Sequence, residues 1–263
     1  MSHTTDSTGT VDVRMDGDVA VLTMAYKPYN LLDRVLVNEL ISALERAAAQ
    51  QARAVLLRSA LRHFSAGADL NTLYPDARET GVLDWRLVDL LRAFDEQSAP
   101  IVAAVHGVCV GGGLELALAA DLVVAAQSAK LGSVEVTVGL HPLMGAVQRL
   151  TQRAGAARAK EMTLLGRRYD AATMERWNVI NRVVPDEHLD TAAMVLAQEL
   201  AHGPTVANAA TKRLVSIAVN EGVAAADAQM AELQRAIYTS ADFATGVTSY
   251  RTKGVGMATF EGR

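Results

Sequence analysis

The chain lacks several things that would send its function elsewhere. Its 263 residues contain one cysteine, Cys109, so no intrachain disulfide can form. Cys109 lies in the apolar run from Ile101 to Val110 and reads as a small buried hydrophobe rather than a nucleophile. Aromatic residues make up only 5%, while half the chain is hydrophobic, much of it alanine. Such a composition supports a core of closely packed small side chains. The net charge of -4 carries no basic excess, which argues against nucleic acid as a partner. No charge-free apolar run is long enough for a membrane span. Residues 1–10 are polar, lack the cationic and apolar regions of a signal peptide, and read as a disordered tail. A cytoplasmic location is the expectation. The six histidines are scattered without ligand-like spacing, so no metal is expected.

What is present is an alternation of short apolar runs and amphipathic stretches. Val11 to Met24 reads as two strands around Asp16-Gly17-Asp18. Lys27-Pro28-Tyr29-Asn30 breaks that pattern. Asp33 then caps a helix with apolar positions Leu36, Leu40, Ile41, Leu44 and Ala48. Ala54 to Arg58 and Ile101 to Val105 read as buried strands, and Leu122 to Ala126 as another. Trp85, Val88, Leu91 and Phe94 mark a helix between them. This order predicts an α/β core over 11–200. From Gly145 onward the pattern is nearly all helical, with a short apolar piece at Val179 to Val184. Residues 201–263 read as a packed helical extension suited to assembly.

Two loops carry the chemical signal. Gly107-Val-Cys-Val-Gly111-Gly112-Gly113-Leu-Glu115 joins a buried strand to a helix. A helix N-terminus presents free amides and a favourable dipole to negative charge. A dinucleotide fingerprint fails, because Leu116 stands where its third glycine belongs. A phosphate loop fails for want of a following Lys-Ser or Lys-Thr, and no Gly-x-Ser-x-Gly occurs. A tight junction without a ligand remains open, although three glycines cost about 1 kcal/mol each in a helix relative to alanine. The second loop is Phe64-Ser-Ala-Gly-Ala-Asp69-Leu70, with Asp69 as a possible cap. Two such loops can aim two amides at one oxygen, an oxyanion hole in which each donor is worth roughly 3–4 kcal/mol. Glu115 follows one loop, and Glu135 lies in the apolar segment Leu131-Gly-Ser-Val-Glu135-Val. Two carboxylates at one site divide acid and base work. The plainer alternative has Glu115 exposed on its helix and Glu135 paired with an arginine.

Together these pieces resemble the crotonase (enoyl-CoA hydratase/isomerase) family. Phe64 to Leu70 resembles its first oxyanion motif. His106-Gly107, Gly111-Gly112-Gly113, Glu115 and Ala119-Ala-Asp121-Leu match its second block; Glu135, Gly139, Pro142 and Gln148-Arg149-Leu150 continue it. The likeness runs from about Val11 to Phe260-Glu-Gly-Arg263. It implies a spiral of ββα units with C-terminal helices that build a homotrimer or homohexamer. It implies that the N–H groups of Ala68 and Gly112 form the oxyanion hole, and that Glu115 and Glu135 are catalytic. It also implies an acyl-CoA site along Ala66, Gly67, Ala68, Asp69, Leu70, Gly111, Gly112 and Leu143, with Lys27, Tyr250 and Lys253 toward the CoA. The CoA thioester is then the substrate, and no cofactor is needed. The implied reaction is hydration of a trans-2-enoyl-CoA. Isomerisation, dehydration or decarboxylation on the same scaffold, or acyl-CoA binding without turnover, are the alternatives.

The sequence departs from the family pattern at Val134, where proline is usual, at Leu131, where phenylalanine is common, and at Leu143-Met144-Gly145-Ala146, where a glycine-rich stretch is usual. His106 stands in place of the usual asparagine and reads as a hydrogen-bonded core histidine.

Overall fold

The computed structural model describes residues 10–263. The tail expected at 1–10 therefore lies outside the described residues except for Thr10, whose carbonyl accepts from the Ala25 amide at 2.9 Å. The first two strands, β1 (Val11–Asp16) and β2 (Val19–Met24), form the anticipated antiparallel hairpin, with Val11 opposite Met24. Helix α1 (Arg34–Ala49) starts at Asp33, whose side chain accepts from the Leu36 amide. Its buried face holds Leu36, Leu40, Ile41 and Leu44 as expected, but Ala47 rather than Ala48 completes it.

Strand β3 (Ala54–Ser59) then enters the sheet parallel to β2. Helix α2 (Leu70–Thr80) begins at Asp69, which caps the Asn71 amide. Helix α3 (Leu87–Glu96) differs from expectation. Arg86 adopts a left-handed φ of 56°, so Trp85 stays outside the helix, and the buried face is Leu90 and Phe94 while Val88 is exposed.

Thereafter the chain alternates between two sheets. Strand β4 (Ile101–Val105) lies in the large sheet and β5 (Val108–Val110) in a smaller one, followed by α4 (Gly112–Ala119). The step repeats with β6 (Leu122–Ala126) and β7 (Lys130–Gly132). Next come α5 (Ala146–Leu165), kinked at Gly155, the two-residue β8 (Tyr169–Asp170), α6 (Ala171–Arg176) and β9 (Arg182–Val184). The large sheet has order β1-β2-β3-β4-β6-β9 and is parallel from β2 onward. The small one has order β5-β7-β8. Because β4 and β6 are buried on both faces, their sequences read as unbroken apolar runs. Of the apolar piece at Val179 to Val184, only β9 pairs; β8 is too short to leave a periodicity.

Helix α7 (Leu189–Ala201) covers the large sheet, and α8 (Thr205–Asn220), α9 (Val223–Tyr238) and α10 (Ala241–Lys253) follow. Two cations tie this extension to the core. Arg53 donates to the Gly203 carbonyl at 2.8 Å and to Thr205 at 3.0 Å. Lys212 meets Asp121 at 2.8 Å and the Phe94 carbonyl at 3.0 Å. Among the described residues, no helix is long and apolar enough to cross a membrane.

Candidate active site

The two loops singled out by composition meet. The carbonyl of Gly67 accepts from Leu32 and the amide of Asp69 donates to the Leu32 carbonyl, each at 2.8 Å. In a trans peptide the N–H opposes the preceding C=O, so the Ala68 N–H points away from Leu32. The glycine turn approaches from the other side. Gly111 takes φ 55°, ψ -130°, a conformation open to glycine, and its amide donates to the Gly132 carbonyl at 2.9 Å. Gly112 follows as the first residue of α4, where an amide has no intrahelical acceptor. A methyl built on Gly112 would lie 3.8 Å from the Ala68 nitrogen. Among the described residues, neither the Ala68 nor the Gly112 amide donates to another protein group.

The first loop is held by a residue that the sequence pattern marked only as a break. Asn30 is fully buried, donates to the Phe64 carbonyl at 3.0 Å and to Ser59 at 2.8 Å, and accepts from the Tyr26 amide at 2.8 Å. Ser65 in turn donates to the Asn30 carbonyl at 2.7 Å.

Both amides border one cleft, and both glutamates line it. Glu115 is 2% exposed, which removes the reading of it as a solvated helix residue. Its Oε1 accepts from the amides of Met144 at 2.7 Å and Ala146 at 3.1 Å. Burial nevertheless dominates and pushes its carboxyl up to about 7; the amides oppose the rise and nearby Glu135 adds to it. Glu135 opens a short 3-10 turn, Glu135–Val138. Its Oε2 accepts from Ser133 at 2.7 Å, while Oε1 is buried with no partner among the described residues. Among the described residues, no arginine pairs with Glu135. Apart from Thr137, the rest of the wall is apolar, with Leu73, Leu83, Trp85, Leu140, Leu143 and Met144 prominent. The Trp85 indole donates to Asp76 at 2.8 Å, so its ring presents only hydrocarbon to the cleft.

This arrangement can receive a carbonyl oxygen between two amides and set two carboxyl groups beside the adjoining carbons. Comparison with known proteins bears on that geometry. Residues 14–262 match the family model described as enoyl-CoA hydratase/isomerase. The chain belongs to the enoyl-CoA hydratase/isomerase family. A protein of Rhizobium meliloti (strain 1021) named probable enoyl-CoA hydratase is 34% identical over 223 residues, covering 81% of this chain and 85% of that one. Mouse enoyl-CoA hydratase domain-containing protein 2, mitochondrial, is 34% identical over 268 residues, covering 96% and 89%. The solved structure of enoyl-CoA hydratase subunit I from Geobacillus kaustophilus HTA426 is 30% identical, superposes with a TM-score of 0.88 and covers 97% and 98%. The fold is thus the crotonase fold, whose ββα repeat is the alternation between two sheets described above.

Within this family member the expected site residues fall into two groups. Ala66, Gly67, Ala68, Leu70, Gly111, Gly112, Glu115, Glu135 and Leu143 all line the cleft. Lys27, Asp69, Tyr250 and Lys253 do not. Asp69 is spent as the α2 cap, and Lys27, Tyr250 and Lys253 are exposed. His106 is hydrogen-bonded as expected, its Nε2 being 2.7 Å from the Leu61 carbonyl, but it is half-buried rather than in the core. Cys109 is fully buried, which pushes its thiol up and keeps it from forming a thiolate. Asn30, Trp85 and Ser133 were not anticipated at the site. Only the polar Asn30 and Ser133 inside apolar surroundings left a signal, and that signal did not name their partners.

Proposed function

We propose that the protein hydrates a trans-2-enoyl-CoA to a 3-hydroxyacyl-CoA. The observation that carries this reading is the meeting of two unspent amides and two carboxyl groups at one apolar cleft. In the reaction, the amides of Ala68 and Gly112 hold the thioester oxygen. Water adds to the β-carbon and gives a proton to one carboxylate. Negative charge moves onto the thioester oxygen, where the amides and the start of α4 stabilise it. The other carboxyl delivers a proton to the α-carbon, and the carbonyl reforms. The carboxyl of Glu115, held near 7 by burial, suits proton exchange at neutral pH.

The pantetheine passes along Ala66, Gly67, Leu70 and Gly111, and the acyl chain lies toward Trp85, Leu143 and Met144. Lys27 is exposed and free to approach the CoA phosphates. Tyr250 and Lys253, exposed on α10, serve the CoA of a neighbouring subunit in a homotrimer or homohexamer. The exposed apolar residues Val215, Val219, Met230 and Phe243 on α8–α10 support such an assembly. No cofactor enters beyond the CoA of the substrate, and the cytoplasm is the setting.

Loss of the enoyl absorbance of crotonyl-CoA and longer homologues tests the reading. Turnover of one or more is expected; no turnover of any enoyl-CoA overturns it. Solvent deuterium entering the α-position without hydration would instead indicate isomerisation or another enolate reaction.

A further inference from the structure

We propose that Ser133 is a positioning residue that fixes which oxygen of Glu135 faces the substrate. The inference rests on the hydratase reading and goes beyond it. A carboxylate has two equivalent oxygens and a soft terminal torsion, so an unheld glutamate presents either one. Here the equivalence is broken. The Ser133 hydroxyl donates to Oε2 at 2.7 Å, and Oε1 is left buried without a partner, on the side of Gly111 and the cleft. Ser133 is itself fully buried, and its hydroxyl has no other acceptor among the described residues. A buried hydroxyl with a single partner is a committed contact, because leaving it unmade costs roughly 1–3 kcal/mol.

The position of Ser133 adds to the argument. It directly follows β7, and the preceding carbonyl, that of Gly132, accepts from the Gly111 amide at 2.9 Å. Two consecutive residues therefore reach both halves of the site. Gly132 anchors the turn that presents the Gly112 amide, and Ser133 anchors the carboxylate opposite. The distance between the oxyanion site and Oε1 is set by one short rigid segment. Ser133 touches no reacting atom, so its effect is on alignment, where small displacements of a reacting group cost up to about 100-fold.

The experiment compares wild type, Ser133→Ala, Ser133→Cys, Glu135→Gln and the double variant Ser133→Ala/Glu135→Gln, with Tm recorded for each. Ser133→Ala is expected to lower kcat by about 10- to 100-fold with KM near wild type and a modest fall in Tm, because the Glu135 oxygen loses its partner. In the Glu135→Gln background the same change is expected to have little further effect, because its target is gone. Ser133→Cys, which keeps a weak donor, should recover part of the loss. A similar kcat loss in both backgrounds, a rise in KM alone, or an unchanged kcat overturns the proposal. A fall in Ser133→Ala activity that tracks a fall in Tm, with no recovery in Ser133→Cys, also overturns it. A wild type inactive on every enoyl-CoA overturns the hydratase reading, and this inference with it; an active wild type with unaffected variants overturns this inference alone.

Discussion

The Met144 amide donates to Oε1 of Glu115 at 2.7 Å, so a buried carboxyl on α4 is held by the segment that leads into α5. Ala146 adds a second donor to the same oxygen at 3.1 Å. This clamp distinguishes Glu115 from the second glutamate, Glu135: Glu115 is held by backbone amides and Glu135 by a hydroxyl.

Glu115 predicts a pH-dependent stability. Its folded carboxyl titrates near 7 against an unfolded value of 4.5, so the native state binds more protons between those limits. Its penalty is absent below 4.5, grows as pH rises through that window, and is complete above it, at roughly 3 kcal/mol. Glu115→Gln keeps the acceptor oxygen and removes the charge. The variant should therefore gain in Tm over wild type from pH 5 to pH 8. Thermal melts across that range check it; an equal difference at both ends would show that Glu115 ionises without penalty.

Glu135→Gln should lower kcat by orders of magnitude and leave acyl-CoA affinity almost unchanged, because on the hydratase reading its unpartnered Oε1 moves a proton rather than binds. Steady-state kinetics with a saturation-binding measurement separate the two. A matching loss of affinity with kcat intact would move the residue from chemistry to recognition.

Trp85 forms an apolar wall locked by its bond to Asp76. Trp85→Phe reduces the wall without inserting a polar group. The ratio of kcat/KM for an eight-carbon over a four-carbon enoyl-CoA should rise by about tenfold, the scale of one or two methylene contacts. An unchanged ratio would place the end of the acyl chain against another part of the cleft.

The glycine turn predicts a contrast between neighbours. A methyl on Gly113 would lie 2.6 Å from the Ser65 carbonyl oxygen, so the two loops must part. Gly113→Ala should cost about 1–3 kcal/mol of stability. A methyl on Gly112 makes only ordinary contacts, at 3.5 and 3.7 Å from Leu32 and 3.8 Å from the Ala68 nitrogen, so Gly112→Ala should keep Tm. It nevertheless sits against the Ala68 amide, where the thioester oxygen would lie, and kcat/KM should fall by about 100- to 1000-fold, the scale of losing one oxyanion donor. Paired melts and kinetics test this; equal destabilisation of both variants would refute it.

Much of this protein was legible in its residue order. The α/β alternation, the Asp33 and Asp69 caps, the glycine turn and the two glutamates follow from local rules of periodicity, capping and turn chemistry. These rules act over a few residues, and so do their signals. The errors have the same origin. Val88 and Ala48 fit a helical period but lie exposed, because helix rotation is chosen by the surface packed against it. Trp85 was placed on α3 because its spacing matched, while Arg86 breaks the helix after it.

The burial of Glu115 and the meeting of the Ala68 and Gly112 loops join residues brought together by the alternation of the chain between two sheets and by its return into α5. Desolvation, which raises the Glu115 carboxyl, depends on everything packed around it and is encoded in no single segment. Sequence by itself determined which groups were available for chemistry. Tertiary structure decided which of them share one apolar cleft and how far burial shifts a carboxyl there, because only long-range packing can withdraw such a group from water.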